Sequence, residues 1–299
     1  MRKFVICTDS SCDLERPLRE KYNLDYASMH YSYDGIDMEC RCDWENLPAP
    51  DFYNIMREGK RILTSQIPNA SLTEMFEHHI NEGYDILYLA CSSALSASVK
   101  VSYVVREELA KKYPEARIVC VDTLRACAGL GLICIMAARL RDEGKTIDEV
   151  AEWVENNRLK INQIGSVDKL VYLKRAGRIS AASAIFGGLL NIKPIIISDV
   201  NGMNHSVAKV KGRMTSLTTI ADMFKECYEV SDAPIFITHA DCYDDAEILK
   251  AEIIKRLPEG ANPEIFITYV GAAVGASVGP GMIGVYCFGK EVTVDSNKA

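Results

Sequence analysis

The sequence has 299 residues, enough for one large or two ordinary domains with a sizeable buried core. Apolar residues make up 48% and charged residues 25%, which are average proportions for globular proteins and argue against disordered, collagen-like and membrane-spanning classes. A net charge of -7 argues against a nucleic-acid-binding protein, because binding to phosphates needs a basic surface.

Two features of the sequence predict a cytoplasmic protein with no stable membrane insertion. The apolar run at residues 4–7 is too short for a signal peptide. The longest apolar run, residues 126–138, is shorter than the about 18 residues that cross a bilayer.

The 11 cysteines include no C-x-x-C pair, and several lie in apolar runs. We therefore expect reduced thiols packed in the core and no metal site.

The first half of the sequence alternates short apolar runs with helical patterns, which is typical of βα units and a mostly parallel sheet. Strands are predicted at residues 4–8, 62–64, 84–90 and 118–122. The turn Asp34-Gly35 predicts a hairpin between residues 28–32 and 36–40. Helices are predicted from a capping box at Ser71 to residue 82, over residues 98–112, over residues 123–144, and from a capping box at Thr146 to residue 157.

After residue 158 the pattern becomes more antiparallel in character. Residues 195–198 and 206–211 flank the turn Asn201-Gly202 and predict a hairpin. Further elements are expected as helices at 215–229 and 244–256 and as strands at 235–238 and 264–269. We therefore predict two α/β domains. Residues 1–160 would carry a mostly parallel sheet with flanking helices, and residues 161–299 a mixed or antiparallel sheet.

Hydroxyl and carboxylate side chains follow the strands predicted in the first half. They occur at Thr8-Asp9-Ser10-Ser11, Thr64-Ser65-Gln66, Ser92-Ser93 with Ser96, and Asp122-Thr123. The carboxyl ends of parallel strands line one crevice, where hydroxyls and helix-start amides suit an anion such as a carboxylate or phosphate. Each hydroxyl could instead cap the helix that follows it, but four coincident strand ends weaken that alternative.

A basic turn at residues 173–180 precedes an almost wholly apolar segment of small residues, 181–190. Such a segment suits either a helix buried in the core or one that lines an apolar ligand tunnel. The sequence leaves both interpretations open.

The sequence gives little support for known catalytic motifs. The stretch Gly275-Ala276-Ser277-Val278-Gly279 matches the G-x-S-x-G nucleophile elbow, but the hydrolase order needs a downstream histidine and the last one is His239. The sequence has no Walker A motif and no G-x-G-x-x-G after a strand. His78 and His79 are adjacent on a predicted helix and cannot form the usual i, i+4 metal pair. Asp241 could pair with His239, but we expect it to bond nearby backbone instead.

Seven short motifs follow one another across nearly the whole chain. They are Thr8-Asp9-Ser10-Ser11, Thr64-Ser65-Gln66, Ser92-Ser93-Ala94-Leu95-Ser96, Val121-Asp122-Thr123, residues 173–180, Lys209-Val210-Lys211-Gly212 and Gly279-Pro280-Gly281. Each motif is weak alone, but the ordered set resembles the DegV family of bacterial fatty-acid-binding proteins.

The resemblance implies a two-domain protein that encloses a long-chain fatty acid in an apolar tunnel between its domains and needs no cofactor. Family members that work in lipid metabolism present the carboxylate to a separate fatty-acid kinase, which makes the acyl phosphate. By position, Thr64, Ser65, Ser93 and Ser96 look like contacts of the carboxylate, with Arg178 as a nearby charge partner.

The resemblance also assigns a partner surface and shows where this chain departs from the family. Lys209, Lys211 and Arg213 would belong to the surface that faces the kinase, with alternate side chains on one face of a strand end. Ser277 stands among the expected ligand contacts, where members commonly have a histidine. The proline that usually follows Thr-Ser-Gln is displaced by Ile67.

Two other classes of function stay open at this point. A serine-dependent esterase, or a relative of small-molecule phosphotransfer enzymes, could use the same hydroxyl-lined crevice. Either would need a general base within reach of a serine, and no histidine is placed convincingly for that role. A pure protein-interaction module would leave the apolar segment and the strand-end hydroxyls unexplained.

Overall fold

The computed structural model describes residues 2–180 and 191–298. Within these residues the strands are β1 (Phe4–Asp9), β2 (Leu24–Ala27), β3 (His30–Tyr33), β4 (Ile36–Glu39), β5 (Leu63–Ser65), β6 (Asp85–Ala90), β7 (Ile118–Asp122), β8 (Ile161–Ser166), β9 (Ile192–Ser198), β10 (Asn204–Lys211), β11 (Ile235–His239), β12 (Ile265–Tyr269) and β13 (Ile283–Phe288). The helices are α1 (Arg16–Lys21), α2 (Ala49–Arg57), α3 (Asn69–Asn81), α4 (Ser98–Lys112), α5 (Ala128–Asp142), α6 (Ile147–Asn157), α7 (Val171–Ala176), α8 (Arg213–Cys227), α9 (Tyr243–Ile254) and α10 (Ala272–Val278).

The strands form two large sheets and one small one. The parallel sheet has the order β2-β1-β6-β7, and every pairing in it is parallel. The mixed sheet has the order β10-β9-β8-β13-β11-β12 and is antiparallel except between β11 and β12. This arrangement confirms the predicted fold class, with a parallel sheet in the first half and a mixed sheet in the second. The small sheet, β4-β3-β5, is antiparallel.

The sequence predicted the wrong pairing for strand β5. Its sequence pattern placed it among the parallel strands, but β5 pairs antiparallel with β3, and Thr64 lies opposite Tyr31. The strand has only three residues, and Leu63 and Ser65 are exposed. It therefore lacks the burial on both faces that a parallel strand needs. The hairpin between β3 and β4 is confirmed: its turn residues Asp34 and Gly35 both have positive φ, 49° and 80°.

Two predicted helix starts were also wrong. Helix α3 begins at Asn69, directly after Pro68, so Ser71 lies inside the helix and not at its N-cap. Helix α5 begins at Ala128 and not at residue 123, because Leu124 and Cys127 have φ values of 55° and 54°, which no right-handed helix contains. By contrast, the capping box at Thr146 is present at the start of α6.

One hydrophobic core joins the two large sheets. Helix α5 packs against β1 and β6 of the parallel sheet and against β8, β11 and β13 of the mixed sheet. Its residues Leu130, Ile133 and Ile135 are at most 1% exposed and belong to a single cluster of buried side chains that runs from Val5 to Tyr286. A second cluster lies where α8 and α9 cover the mixed sheet.

Two sequence predictions concern apolar segments. The segment 181–190, predicted as a buried or tunnel-lining helix, lies outside the described residues. Among the helices of residues 2–180 and 191–298, none combines the length and the apolar character of a membrane span.

Candidate functional site

A cavity of about 180 Å³ lies where the carboxyl ends of β1, β6 and β7 face the mixed sheet. It is lined by Ser11, Met29, Thr64, Ser65, Gln66, Cys91, Leu95, Ser96, Ala97, Ala126, Cys127, Gln163, Leu173, Arg178, Asn204, Ala273, Val274, Ser277, Val278, Met282 and Tyr286. Parallel strand ends commonly form such ligand sites. A smaller space of about 40 Å³ shares Leu173 and Met282 with the cavity and extends to Ile164 and Ile196.

Five of the six predicted ligand residues line this cavity. Thr64 and Ser65 come from the end of β5, Ser96 from the loop after β6, Arg178 from the loop after α7, and Ser277 from the last turn of α10. Four separate segments of the chain therefore bring hydroxyls or a cation to one space.

The hydroxyl groups that line the cavity differ in their hydrogen bonds within the protein. Ser96 Oγ lies 2.9 Å from Ser98 Oγ and accepts a hydrogen bond from the Ser98 amide at 3.2 Å, so it also orders the start of α4. The side chains of Thr64, Ser65 and Ser277 make no hydrogen bond to any other described residue. These three hydroxyls are available to a ligand.

Arg178 brings a positive charge to the same part of the cavity. Its Nε donates to the carbonyl of Leu95 at 3.1 Å and its Nη1 donates to the carbonyl of Ala176. These bonds fix the guanidinium in place. Within the described residues no carboxylate lies within ion-pair distance of Arg178, so none of them neutralises its charge.

A basic groove of about 120 Å³ adjoins the cavity and shares Thr64, Arg178 and Ser277 with it. Its lining adds Arg61 and Arg175, together with Lys60, which is paired with Asp34 at 2.8 Å. None of the described residues that line the groove is acidic. Arg61 was not predicted from the sequence. The sequence signal for Arg61 as a residue near the site was its position three residues before Thr64.

Several strand-end hydroxyls serve the fold and not the cavity. Thr8 Oγ1 donates to the carbonyl of Leu89 at 2.8 Å, and Thr123 Oγ1 donates to the carbonyl of Ala90 at 2.7 Å. Both side chains are fully buried and tie neighbouring strands together. At these two positions the helix-cap alternative is therefore wrong, because the hydroxyls bond to a neighbouring strand and cap no helix.

A buried thiol in the cavity wall, Cys127, bonds to a buried carboxylate behind it. Cys127 Sγ donates to Asp13 Oδ2 at 2.7 Å, and Tyr286 lines the cavity beside them. Burial raises the pKa of Asp13 to about 7, although the hydrogen bond from Cys127 favours the charged carboxylate. Burial and the neighbouring Asp13 raise the pKa of the Cys127 thiol well above its ordinary value. A thiol in this state is a poor nucleophile.

Comparison with known proteins identifies the family. The model of the family described as "Uncharacterised protein, DegV family" matches residues 3–290. The chain belongs to the DegV family. It is 40% identical over 290 residues to a DegV domain-containing protein of Clostridium perfringens, covering 97% of this chain and 98% of that relative.

Solved DegV structures share the fold over nearly the full length. A DegV family protein from Thermus thermophilus, described as fatty acid binding, has 25% identity and a TM-score of 0.86, and the match covers 97% of this chain and 100% of that one. A DegV family protein from Ruminococcus gnavus, refined with vaccenic acid, has 19% identity and a TM-score of 0.84 over 95% of this chain and 99% of that one.

One residue carried over from the DegV motif, Ser93, does not line the cavity. Its side chain is exposed, and its amide donates to Asp122 Oδ1 at 3.2 Å. The preceding residue, Ser92, is buried and donates to the carbonyl of Gly202 at 2.9 Å. The loop turns between these two residues, which directs Ser93 to solvent.

The three basic residues predicted to form a partner surface do not share one strand face. Lys209 and Lys211 are exposed on the same face of β10, which is an edge strand. Arg213 was wrongly predicted to extend this face: Gly212, with φ of 88°, turns the chain, and Arg213 begins α8. Its Nε donates to Asp245 Oδ2 at 2.9 Å.

The remaining sequence candidates have other partners. Asp241, expected to bond nearby backbone, accepts a hydrogen bond from Arg57 Nη1 at 2.5 Å. His239 Nδ1 accepts a hydrogen bond from the Cys242 amide at 3.3 Å, and burial lowers the pKa of the imidazole. Ser277 lies at the end of α10 and not at a strand-to-helix turn, so the G-x-S-x-G match has the wrong context for a nucleophile elbow.

Proposed function

We propose that this DegV protein binds a long-chain fatty acid in the cavity, with the carboxylate at Thr64, Ser96, Ser277 and Arg178. One observation carries the proposal: two hydroxyls without hydrogen-bond partners among the described residues, Thr64 and Ser277, line the same part of the cavity as Arg178, which has no acidic partner among those residues. A buried carboxylate needs hydrogen bonds and a countercharge, and these groups supply both. Fatty acid binding by the Thermus thermophilus relative supports the same ligand class.

The acyl chain would extend away from Arg178 towards the mixed sheet. The smaller space that continues the cavity in that direction is lined by Ile164, Ile196, Val278 and Met282, which suit an apolar chain. Each buried methylene contributes about 0.8 kcal/mol, so a C16 chain gives on the order of 10 kcal/mol before entropic costs. The protein should therefore retain its ligand through purification, and organic extraction with mass spectrometry should find a near-stoichiometric fatty acid.

Substitutions at the head-group end test the proposed orientation. A hydrogen bond to a charged group contributes about 1.5 to 3 kcal/mol, so Thr64→Val and Ser96→Ala should each weaken fatty-acid binding about tenfold to a hundredfold. Ser93→Ala is the matched control, because Ser93 is exposed and does not line the cavity. Titration calorimetry on delipidated protein gives the dissociation constants.

Two comparisons make this test decisive. The matching fatty alcohol should lose much less affinity in Thr64→Val and Ser96→Ala, because it lacks the charge that these groups neutralise. Ser277→His adds a donor at the same end and should strengthen binding of the acid. If Thr64→Val and Ser96→Ala bind the acid as tightly as the parent protein, the head-group assignment is wrong, even if extracted protein contains a fatty acid.

We further propose that the protein is a carrier without catalytic turnover. No cavity serine has a histidine partner among the described residues, and the cavity thiol has a raised pKa. One contact favours the esterase alternative: Ser180 Oγ lies 2.9 Å from His205 Nδ1, with both side chains buried. Hydrolysis of acyl esters above background that disappears in Ser180→Ala would establish the esterase instead.

We also propose that the carboxylate is presented to a separate fatty-acid kinase. The basic groove supports this step, because Thr64 and Arg178 line both the cavity and the groove. Lys209 and Lys211 would contribute to docking. Lys211 is seven residues along β10 from the cavity residue Asn204, about 24 Å, too far to touch the same carboxylate.

Charge reversal separates docking from ligand binding. Lys209→Glu with Lys211→Glu should slow kinase-dependent formation of acyl phosphate and leave fatty-acid affinity unchanged, since rim charges act mainly on encounter rate. Lys225→Glu, an exposed position in α8, is the control. Equal loss of affinity and phosphorylation would place the two lysines at the ligand, and no effect on phosphorylation would exclude them from the docking surface.

A further inference from the structure

Three side chains that bind metals in other proteins converge at the C-terminal end of α3. The donor atoms of His78, His79 and Glu82 all lie within 4.8 Å of one another. None of the three lines the fatty-acid cavity. From the sequence, His78 and His79 are not expected to form a metal pair, because adjacent residues do not share a helix face. Glu82 can contact both histidines, because it is four residues after His78 and three residues after His79 on the same helix end.

The hydrogen bonding of His79 directs one ring nitrogen towards this cluster. Its Nε2 lies 2.8 Å from Asp25 Oδ2 in β2. Its Nδ1 is buried, has no hydrogen-bond partner within the described residues, and lies 3.9 Å from Glu82 Oε2. A carboxylate on Nε2 holds the proton there, so the lone pair is on Nδ1.

This is the arrangement of a metal-binding histidine, in which an outer carboxylate orients the ring while the other nitrogen faces the ion. His78 Nε2 lies 3.7 Å from Glu82 Oε1, on the other carboxylate oxygen. The side chains of His78 and Glu82 are 62% and 52% exposed. They can rotate to bring the donors to bonding distance of an ion, about 2.0–2.2 Å for zinc.

The position on the helix favours a cation. The end of α3 carries the partial negative charge of its last carbonyl groups, which attracts positive charge. Two imidazoles and one carboxylate suit borderline ions such as zinc and not magnesium or calcium, which prefer oxygen ligands alone. Three protein ligands leave a fourth position for water.

We propose that His78, His79 and Glu82 bind one zinc-class divalent ion, with Asp25 as the positioning residue of His79. All three ligands lie at the C-terminal end of α3, and the hydrogen bond between His79 and Asp25 connects this site to β2, the edge strand of the parallel sheet. This site is independent of the fatty-acid cavity, so it stands or fails separately from the proposed function.

Zinc titration of tag-free, chelator-treated protein tests the proposal. Calorimetry with zinc chloride should give one saturable site per chain, and His78→Gln or Glu82→Gln should weaken it at least tenfold. Both side chains are more than half exposed, so the variants should fold normally, which circular dichroism checks. His30→Gln is the matched control, because His30 pairs with Asp37 outside the cluster.

The positioning role of Asp25 has its own readout. Asp25→Asn should keep the stoichiometry of one ion but weaken zinc binding about tenfold to a hundredfold, as loss of outer-shell carboxylates does elsewhere. Absence of saturable zinc binding in the parent protein, or equal affinity in the parent, His78→Gln and Glu82→Gln proteins, would overturn the site. Unchanged affinity in Asp25→Asn would remove Asp25 from it.

Discussion

The buried carboxyl of Asp13 makes the stability of the protein depend on pH. Asp13 is 3% exposed, receives a hydrogen bond from Cys127, and lies so close to Gly271 that a Cβ there would be 2.4 Å from its Oδ1. Burial raises the pKa of Asp13 from 3.8 to about 7. Because the folded protein then binds a proton that the unfolded chain has released, this group lowers the free energy of unfolding as pH rises from about 4 to about 7.

The size of the effect follows from the shift in pKa. The full change amounts to about 4 kcal/mol, of which about 2.5 kcal/mol falls between pH 5 and pH 8. Asp13→Asn removes the titration while keeping a similar shape, and asparagine tolerates the left-handed backbone at this position, where φ is 51°. Between pH 5 and pH 8, the melting temperature of Asp13→Asn relative to that of the parent protein should therefore rise by about 5 °C.

Thermal unfolding followed by circular dichroism at several pH values measures this difference. The pKa of Asp9 is raised in the same direction by burial, and Asp9 is present in both proteins. The comparison therefore isolates the contribution of Asp13 together with its electrostatic coupling to Asp9. Asp34→Asn is the matched control, because Asp34 also has a positive φ, 49°, but is exposed. A difference between Asp13→Asn and parent that stays constant with pH would refute the assignment of a neutral buried carboxyl.

Three further substitutions test local features of the fold. Gly279→Ala should cost about 3 kcal/mol, because φ is 76° and the new Cβ would lie 2.3 Å from the Tyr172 ring. Gly177→Ala should cost only about 1 kcal/mol, since φ is 67° but no atom lies within 4 Å, and equal losses would show that Tyr172 moves aside freely. Thr146→Ala should cost about 1 kcal/mol by removing the cap shared with Glu149, and an unchanged denaturation midpoint would contradict that role.

Local patterns predicted the elements whose burial is continuous and missed those with mixed composition. Strands β6 and β7 were found because their apolar runs are uninterrupted. Strands β8 and β13, at the centre of the mixed sheet, were not predicted: Gln163 and the facing pair Gly165 and Gly284 interrupt the pattern. The facing glycines are required because a Cβ on Gly165 would lie 2.8 Å from the Ile283 carbonyl. This reason involves a neighbouring strand and is invisible in a local window.

The same distinction applies to the candidate site. Thr64, Ser96 and Ser277 could be selected from motifs because each follows or ends an element that the topology brings to one place. Whether Ser93 faces the cavity or solvent depends on how one loop turns. The residue type alone does not determine that turn. The contact between Asp13 and Cys127 joins residues 114 positions apart and has no sequence signal.

The helix shared by the two large sheets limits how the proposed fatty acid could enter. Moving the sheets apart would expose the fully buried Leu130, Leu132 and Ile135 of α5 to water, at about 1.5 to 3 kcal/mol for each side chain. The sum is comparable with the whole stability of an ordinary domain. Exchange should therefore use a local opening near the basic groove while the framework stays closed. For the same reason, fragments 1–160 and 161–299 produced separately should aggregate, whereas their co-expression should restore a folded complex.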